Sequence, residues 1–552
     1  MRVLALLLLA ALLASCTNSM STVAVQVTPV TPDAPLTPAA LTPAALTPAP
    51  LTPAPLTPAT LSPGPSPLVG EGGKIAAALP AGPVLFYEKE GRSLWAAAAD
   101  GGNARALTDP LPTANGQSLL FPDTGPTQVG TPSPAARTAT LSWTPSPDGR
   151  MVAVVQGEGL VSAADARPVA ALWLIDVQEQ RRKLLDLLPP GVSAAGLAAP
   201  ESRALLAALL AQSPPAWSPD GKRIAVVSDH EGQADVYVVG VADGKAARLT
   251  QDAGLEVGPA WSPDGQWLAY AVAQGVDPAA VGLSVIKADG SAKGRRLAPG
   301  VTEPYLFDGQ GMRYGAGVWV APDTLIWPSR RAGQPACEVA LRRVSLDDKD
   351  DTLVCGPAGG SGVAQVYWNA ARKRLAFVPP QAAGAGAAPA AIAFPLSTPG
   401  APFQGYWVYN VEQKKTGQAV ANQVYTVTWP PNGDLGIAYV GADGQNTGLY
   451  YRHDAGDNKL LALPANAAAA APVWSPEGKR LAFADRVVTM EGQEVTRLTG
   501  ASPAPAAWSA AGLVYAADGR QRASSLGLWD GKNTRTIADN VLSGSVRAVT
   551  PR

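Results

Sequence analysis

The chain has 552 residues, with Lys+Arg 43 against Asp+Glu 44 and a formal net charge of −1. That balance, with no basic run, lacks the electrostatic footprint of nucleic-acid binding. Two histidines and three cysteines leave little material for metal or thiol chemistry.

In chain order the first element is a signal. Met1-Arg2-Val3 supplies one positive charge and Leu4 to Leu13 a short apolar core. That core is too short to span a bilayer, so residues 1–15 read as a secretion signal. Leu13-Ala14-Ser15-Cys16 resembles the bacterial lipoprotein box, in which cleavage precedes the Cys and its thiol takes a diacylglyceryl group. The resemblance implies lipidation at Cys16 and a chain held by acyl groups on the extracytoplasmic side of a membrane, in the cell envelope. An ordinary signal peptide with an incidental Cys is the alternative.

Residues 16–81 follow as a linker. From Thr28 to Pro67 the phrase Leu-Thr-Pro-Ala recurs, with Leu36, Leu41, Leu46, Leu51 and Leu56 each opening a unit. Proline at this density denies both helix and sheet, which predicts a disordered tether of polyproline II character.

The body, residues 82–552, carries the repeated phrase Trp-Ser-Pro-Asp-Gly. It stands at Trp217–Gly221 and Trp261–Gly265, as Trp474-Ser475-Pro476-Glu477-Gly478, and stretched as Trp143-Thr144-Pro145-Ser146-Pro147-Asp148-Gly149. Pro presets φ for the first corner of a turn, Asp bonds its own backbone, and Gly accepts positive φ. Each phrase is therefore a hairpin turn after a strand ending in Trp. In the stretch 215–251 three more strands follow: Ile224–Val227, Asp235–Val239 and Ala247–Thr250. Four strands recurring at the distance from Trp217 to Trp261 predict an all-β fold, a single β-propeller of four-stranded blades.

The phrase Trp217-Ser218-Pro219-Asp220-Gly221-Lys222-Arg223-Ile224-Ala225, with Ser228-Asp229-x-x-Gly232-x-x-Asp235 after it, resembles the WD40-like repeat of the family that includes TolB, the periplasmic propeller of the Tol system. Weaker units lie at Trp319, Trp368, Trp429 and Trp508. The separate N-terminal domain of TolB has no counterpart here; the Pro-rich tether takes its place. At the start of the body, Val84–Tyr87, Ser93–Ala96 and Arg105–Thr108 supply three strands without a Trp-bearing first one. The terminal stretch Ser545–Val549 is a strand without neighbours, so it is expected to complete the first blade and close the ring. Eight or nine blades result, because the Trp474 unit is short after Asp485. Insertions fall at Asp109–Thr138, Leu187–Pro214, Pro299–Gly315 and Pro379–Pro402. The second holds an expected short helix with Leu205, Leu206, Leu209 and Leu210 on one face.

No Gly-x-Ser-x-Gly elbow occurs, His230 and His453 sit in loops without ligand partners in sequence, and the acidic run Asp347–Asp351 reads as a wet hairpin tip. No enzyme, cofactor or metal is expected. Cys337 and Cys355 are the two thiols left to an exported chain and are expected to pair. The recognition candidates are Tyr305, Phe307, Arg313 and Tyr314 in the third insertion, with Tyr406 and Trp407 near the fourth. Aromatics and Arg dominate interface energy, although such side chains also pin long loops. The expected role is a monomeric, membrane-anchored scaffold that binds a protein of the cell envelope. The other reading is a ligand- or glycan-binding, even enzymatic, propeller with its site at the mouth of the central channel.

Overall fold

A computed structural model describes residues 82–549 apart from 91–92, 109–137, 159–168, 178–180, 189–213, 232–233, 252–254, 274–280, 298–300, 303–304, 308–311, 314–316, 331–336, 338, 357–364, 370–373, 378–402, 432–435, 444–445, 454–455, 464–471, 520, 522 and 543. The signal, Cys16, the tether and the expected helix around Leu205 lie outside the described residues. Every regular element among the described residues is a strand, and no helix there is long and apolar enough to cross a membrane.

Among the described residues the strands form seven hydrogen-bonded sheets, two of which run on from one blade to the next, and they are taken as antiparallel blades of four. Blade 1 begins with β1 (Val84–Lys89), β2 (Ser93–Ala98) and β3 (Arg105–Ala106). Blade 2 is β4 (Thr138–Pro145), β5 (Met151–Glu158), β6 (Val169–Asp176) and β7 (Arg181–Leu188). Blade 3 is β8 (Ala216–Trp217), β9 (Arg223–Ser228), β10 (Asp235–Gly240) and β11 (Ala246–Arg248). Blade 4 is β12 (Leu255–Trp261), β13 (Trp267–Ala273), β14 (Val281–Lys287) and β15 (Arg295–Arg296).

Short strands β16 (Val301–Thr302), β17 (Tyr305–Phe307) and β18 (Met312–Arg313) precede blade 5, which is β19 (Val318–Ala321), β20 (Thr324–Arg330), β21 (Val339–Ser345) and β22 (Asp350–Gly356). Blade 6 is β23 (Gln365–Asn369), β24 (Arg374–Phe377), β25 (Phe403–Asn410) and the start of β26 (Lys415–Thr428). The far half of β26 opens blade 7, with β27 (Ile437–Asp443), β28 (Asn446–His453) and β29 (Gly456–Leu463). Blade 8 is β30 (Val473–Trp474), β31 (Arg480–Phe483), β32 (Arg486–Thr489) and β33 (Glu494–Arg497). Blade 9 is β34 (Ala504–Ser509), β35 (Gly512–Ala516), β36 (Ala523–Trp529) and β37 (Thr534–Leu542).

The last strand, β38 (Arg547–Val549), returns to the start. It pairs antiparallel with β1, Val84 opposite Val549 and Phe86 opposite Arg547, and so supplies the first strand that blade 1 lacked. The apolar clusters follow the same circuit. One joins blade 1 to blade 2 through Phe86, Leu94, Val152 and Val154, and equivalent clusters continue from each blade to the next. The ninth joins blade 9 to blade 1 through Val514, Leu528, Leu85 and Tyr87. Closure pairs β1 along both flanks, so blade 1 does not present the open edge of that strand.

The repeated phrase builds the turn it promises. The Ser218 N–H donates to the Arg223 carbonyl at 2.8 Å and the Gly221 N–H to the Ser218 carbonyl at 2.9 Å. Asp220 accepts from the Ser218 hydroxyl at 2.6 Å and from the Lys222 N–H at 3.1 Å. Gly221 takes φ 68°, and Gly149, Gly265 and Gly478 each take 69° in the matching turns. That is left-handed backbone, open to Gly at little cost. In the stretched copy the turn is Ser146–Gly149, and β4 simply runs two positions past Trp143 before it.

Tryptophan links neighbouring blades. The Trp217 indole N–H donates to the Thr144 carbonyl at 2.9 Å, Trp261 to Ala216 at 2.9 Å, Trp319 to Ala260 at 3.1 Å and Trp508 to Val473 at 3.2 Å. Each acceptor lies beside the tryptophan position of the preceding blade. In blade 2, Trp143 bonds the Glu88 carboxylate of blade 1 at 2.6 Å. A second tie runs along the outer strands: Arg182 on β7 bonds the Ala242 carbonyl at 3.1 Å, Arg295 on β15 bonds Asp348 at 2.7 Å, and Arg535 on β37 bonds the Asp100 carbonyl at 2.7 Å.

Candidate functional site

Strand order decides where the excursions of this chain can emerge. In a four-stranded antiparallel blade, the first-to-second and third-to-fourth turns share one end of the strands. The second-to-third connection and the passage to the next blade share the other. The long connections are β3 to β4 (Ala106 to Thr138), β7 to β8 (Leu188 to Ala216), β15 to β19 (Arg296 to Val318) and β24 to β25 (Phe377 to Phe403). All four are of the second kind, so they leave from one face. The Trp-Ser-Pro-Asp-Gly turns occupy the opposite one.

The third insertion has an architecture that its sequence did not announce. β16 and β19 both pair with β20, Val301 opposite Arg330 and Val318 opposite Ile326. The innermost strand of blade 5 is thus interrupted, and the β17–β18 hairpin lies between its two pieces in sequence. β17 then runs parallel to β23, the innermost strand of blade 6, with Leu306 opposite Gln365 and Phe307 opposite Val366. Tyr305, Phe307 and Arg313 are therefore strand residues on the channel side of the blade 5–blade 6 junction; Tyr314 lies outside the described residues.

Tyr406 and Trp407 are placed differently from the sequence expectation. Tyr406 is 0% exposed and packs with Val424, Val427 and Tyr439 between blades 6 and 7, its ring 6.0 Å from that of Tyr439. Trp407 is half-buried and packs on the cluster that holds Val318, Ile326 and Leu341 of blade 5. Adjacent strand residues point to opposite faces, and both faces of this blade are covered, so the pair belongs to the core. Burial, before any neighbouring charge, drives the Tyr406 phenol far above its usual range.

Cys337 and Cys355 are bonded, Cα atoms 4.9 Å apart, across the outer strands of blade 5. At the β21–β22 turn, Lys349 and Ser345 hold the Asp347 carboxyl down at about 2. No group of His, Cys, Asp and Glu among the described residues is arranged to hold a metal ion. The half-buried residues on innermost strands include Thr144, Ala216, Ala260, Ala321, Thr428, Val473 and Ala504. Apart from Arg547, such residues with described burial are uncharged.

One polar cluster escaped sequence reading. At the junction of blades 3 and 4, on the connection face, Asp235 and Glu256 are both 0% exposed. The Thr250 hydroxyl donates to Glu256 and lies 3.4 Å from Asp235. The Val236 N–H reaches both Thr250 and Glu256 at 2.9 Å. Arg248 contacts Asp235 at 2.5 Å and Glu231 at 2.7 Å. Burial, partly offset by Arg248, pushes the Asp235 carboxyl up to about 6. Only Asp235 had a signal, as the last residue of the Ser228-Asp229-x-x-Gly232-x-x-Asp235 phrase.

Residues 191–293 match the TolB beta propeller domain model PD40. No curated protein sequence matches the chain. Among solved structures, TolB from Acinetobacter baumannii aligns at 17% identity and a TM-score of 0.26, covering 53% of this chain and 60% of that one. The putative TolB from Agrobacterium tumefaciens aligns at 15% identity and 0.26, over 50% of this chain and 90% of its own. The β-propeller domain of the trilobed protease from Pyrococcus furiosus aligns at 12% identity and 0.33, over 72% and 98%. The match therefore spans less than two thirds of the Acinetobacter protein. With four-stranded antiparallel blades among the described residues, the chain has an all-β propeller fold, and residues 191–293, which include blades 3 and 4 up to β14, resemble the TolB-like repeat.

Proposed function

We propose that this protein is a membrane-anchored extracytoplasmic lipoprotein whose TolB-like ring, of nine blades, serves as a protein-binding platform. One observation carries the reading: four long connections leave from one face of a rigid, closed scaffold. Loops on such a scaffold are where binding residues concentrate. The β17–β18 hairpin, with Tyr305, Phe307 and Arg313, is the foremost contact candidate, together with Tyr314, the next residue in sequence. The box ending at Cys16 supports the anchor, the proline-rich stretch supports a spacer from the lipid surface, and the Cys337–Cys355 bond fits an oxidising compartment. A glycan or reaction site at the channel mouth is the weaker reading, because the half-buried residues of the innermost strands with described burial include no acidic side chain and no His.

Two experiments separate the halves of this proposal. Mass analysis of the membrane-extracted protein should find acyl chains on Cys16, and Cys16→Ala should move the protein to the soluble fraction. A soluble, unmodified wild-type protein defeats the anchor. Cross-linking in intact cells should trap a partner on the wild-type ring. It should lose that partner when residues 303–317 are replaced by a short Gly-Ser link in a variant of unchanged melting temperature. An unchanged cross-linking pattern removes the hairpin from the contact surface.

A further inference from the structure

The carboxylates at the blade 3–blade 4 junction exceed what the repeat requires. In blade 1 the Leu94 N–H donates to the Thr108 hydroxyl at 2.8 Å, the same bond that Val236 makes to Thr250, with the neutral Ser93 at the place of Asp235. In blade 1, then, this tie between the third strand and the end of the fourth is made with a neutral Ser at the place of Asp235. Blade 3 adds Asp235, and β12 of blade 4 brings Glu256 to the same hydroxyl. Among the described residues, the charged and titratable groups on the neighbouring elements are Asp229, His230 and Glu231 from the β9–β10 connection, Tyr237 on β10 and Arg248 on β11. From β7, Asp186 is already paired with Lys183 at 2.6 Å. Arg248 is shared between Asp235 and the exposed Glu231. Two fully buried carboxylates meeting at one hydroxyl ionise together only at a cost in desolvation and mutual repulsion.

We propose that Asp235 and Glu256 share one proton and form an acid-closed latch between blades 3 and 4, beneath the face from which the long connections leave. The latch also reaches the β7 insertion. The Ser228 hydroxyl donates to the Asp186 carbonyl at 3.1 Å, and the Asp229 N–H donates to the Leu187 carbonyl at 2.8 Å, where the chain departs from blade 2. With the proton in place, Glu256 and Thr250 hold the Val236 N–H and the start of β12 against blade 3. Loss of the proton to solvent leaves two buried negative charges to repel, and separation of β12 from the β10–β11 end relieves them. The sign follows from the raised carboxyl of Asp235. Its contribution is fully present below the ordinary carboxylate value and fades as pH rises through about 6.

Hydrogen–deuterium exchange of the full-length chain between about pH 5 and 8, corrected for intrinsic exchange, tests this. The amides of Val236 and of β12 should lose protection above about pH 6 by up to roughly tenfold per pH unit, the limit for release of one proton. Amides of blade 8, which has no such pair, should hold constant. Glu256→Gln keeps an acceptor for the Val236 N–H and should flatten the profile with protection retained; Asp235→Asn should flatten it too. A flat wild-type profile overturns the latch even where a variant fails to fold, and so does a wild-type slope that survives in both variants.

Discussion

Glycine at the fourth turn position does more than permit the turn in blade 2. A Cβ on Gly149 would lie 2.9 Å from the Val549 methyl of the closing strand, on backbone already at φ 69°. Gly149→Ala should therefore cost about 2 kcal/mol, above the roughly 1 kcal/mol expected of Gly221→Ala, whose nearest neighbour would stand at 3.7 Å. Urea denaturation of the two variants checks the difference. The turn residues were legible because their chemistry is local: Pro, Asp and Gly act within five positions. Glu256 was illegible because nothing in its neighbours along the chain reports that Thr250 and the Val236 N–H will meet it. Tyr406 misled for a related reason. Its residue type suits an interface, but only the blade on the far side of β25 reveals that it is covered.

Between elements, the tryptophan bonds give a contrast that can be measured. Trp319 donates to Ala260, so Trp319→Phe should cost about 1–2 kcal/mol for the lost bond and the orphaned carbonyl. The Trp474 indole N–H is buried with no hydrogen-bond partner among the described residues, and Trp474→Phe should cost less than Trp319→Phe. Equal losses in thermal melts would reject the distinction. In blade 5, reduction of the Cys337–Cys355 bond, which spans 18 residues, should lower stability by about 3 kcal/mol in the chain-entropy account. Melting with and without reductant measures it. Repeated hairpins could be read from sequence at this scale, since alternation and turn spacing suffice. The β17–β18 insertion could not, because its parallel pairing with β23 joins segments from different blades and leaves no periodic trace.

For the molecule as a whole, ring closure was foreseeable from a deficit at one end and a surplus at the other: three strands opening blade 1 and a lone strand after blade 9. Deleting residues 541–552 removes β38 and the end of β37, including the Lys89–Val541 pairing. Such a chain should melt several degrees lower, as the loss of a few kcal/mol predicts, and should associate through the newly open edge of β1. A melting temperature equal to that of the full chain, in a monomeric sample, would contradict closure by β38.

The position of β1 also governs how the ring bears load. Its residues pair with β2 along one side and with β38 and β37 along the other. Tension applied at residue 82 therefore meets a strand gripped on both flanks rather than one that unzips from a rim. The C-terminal segment acts as a mechanical fastener, and whatever tugs on the N-terminal approach must shear two seams at once before the wheel comes apart.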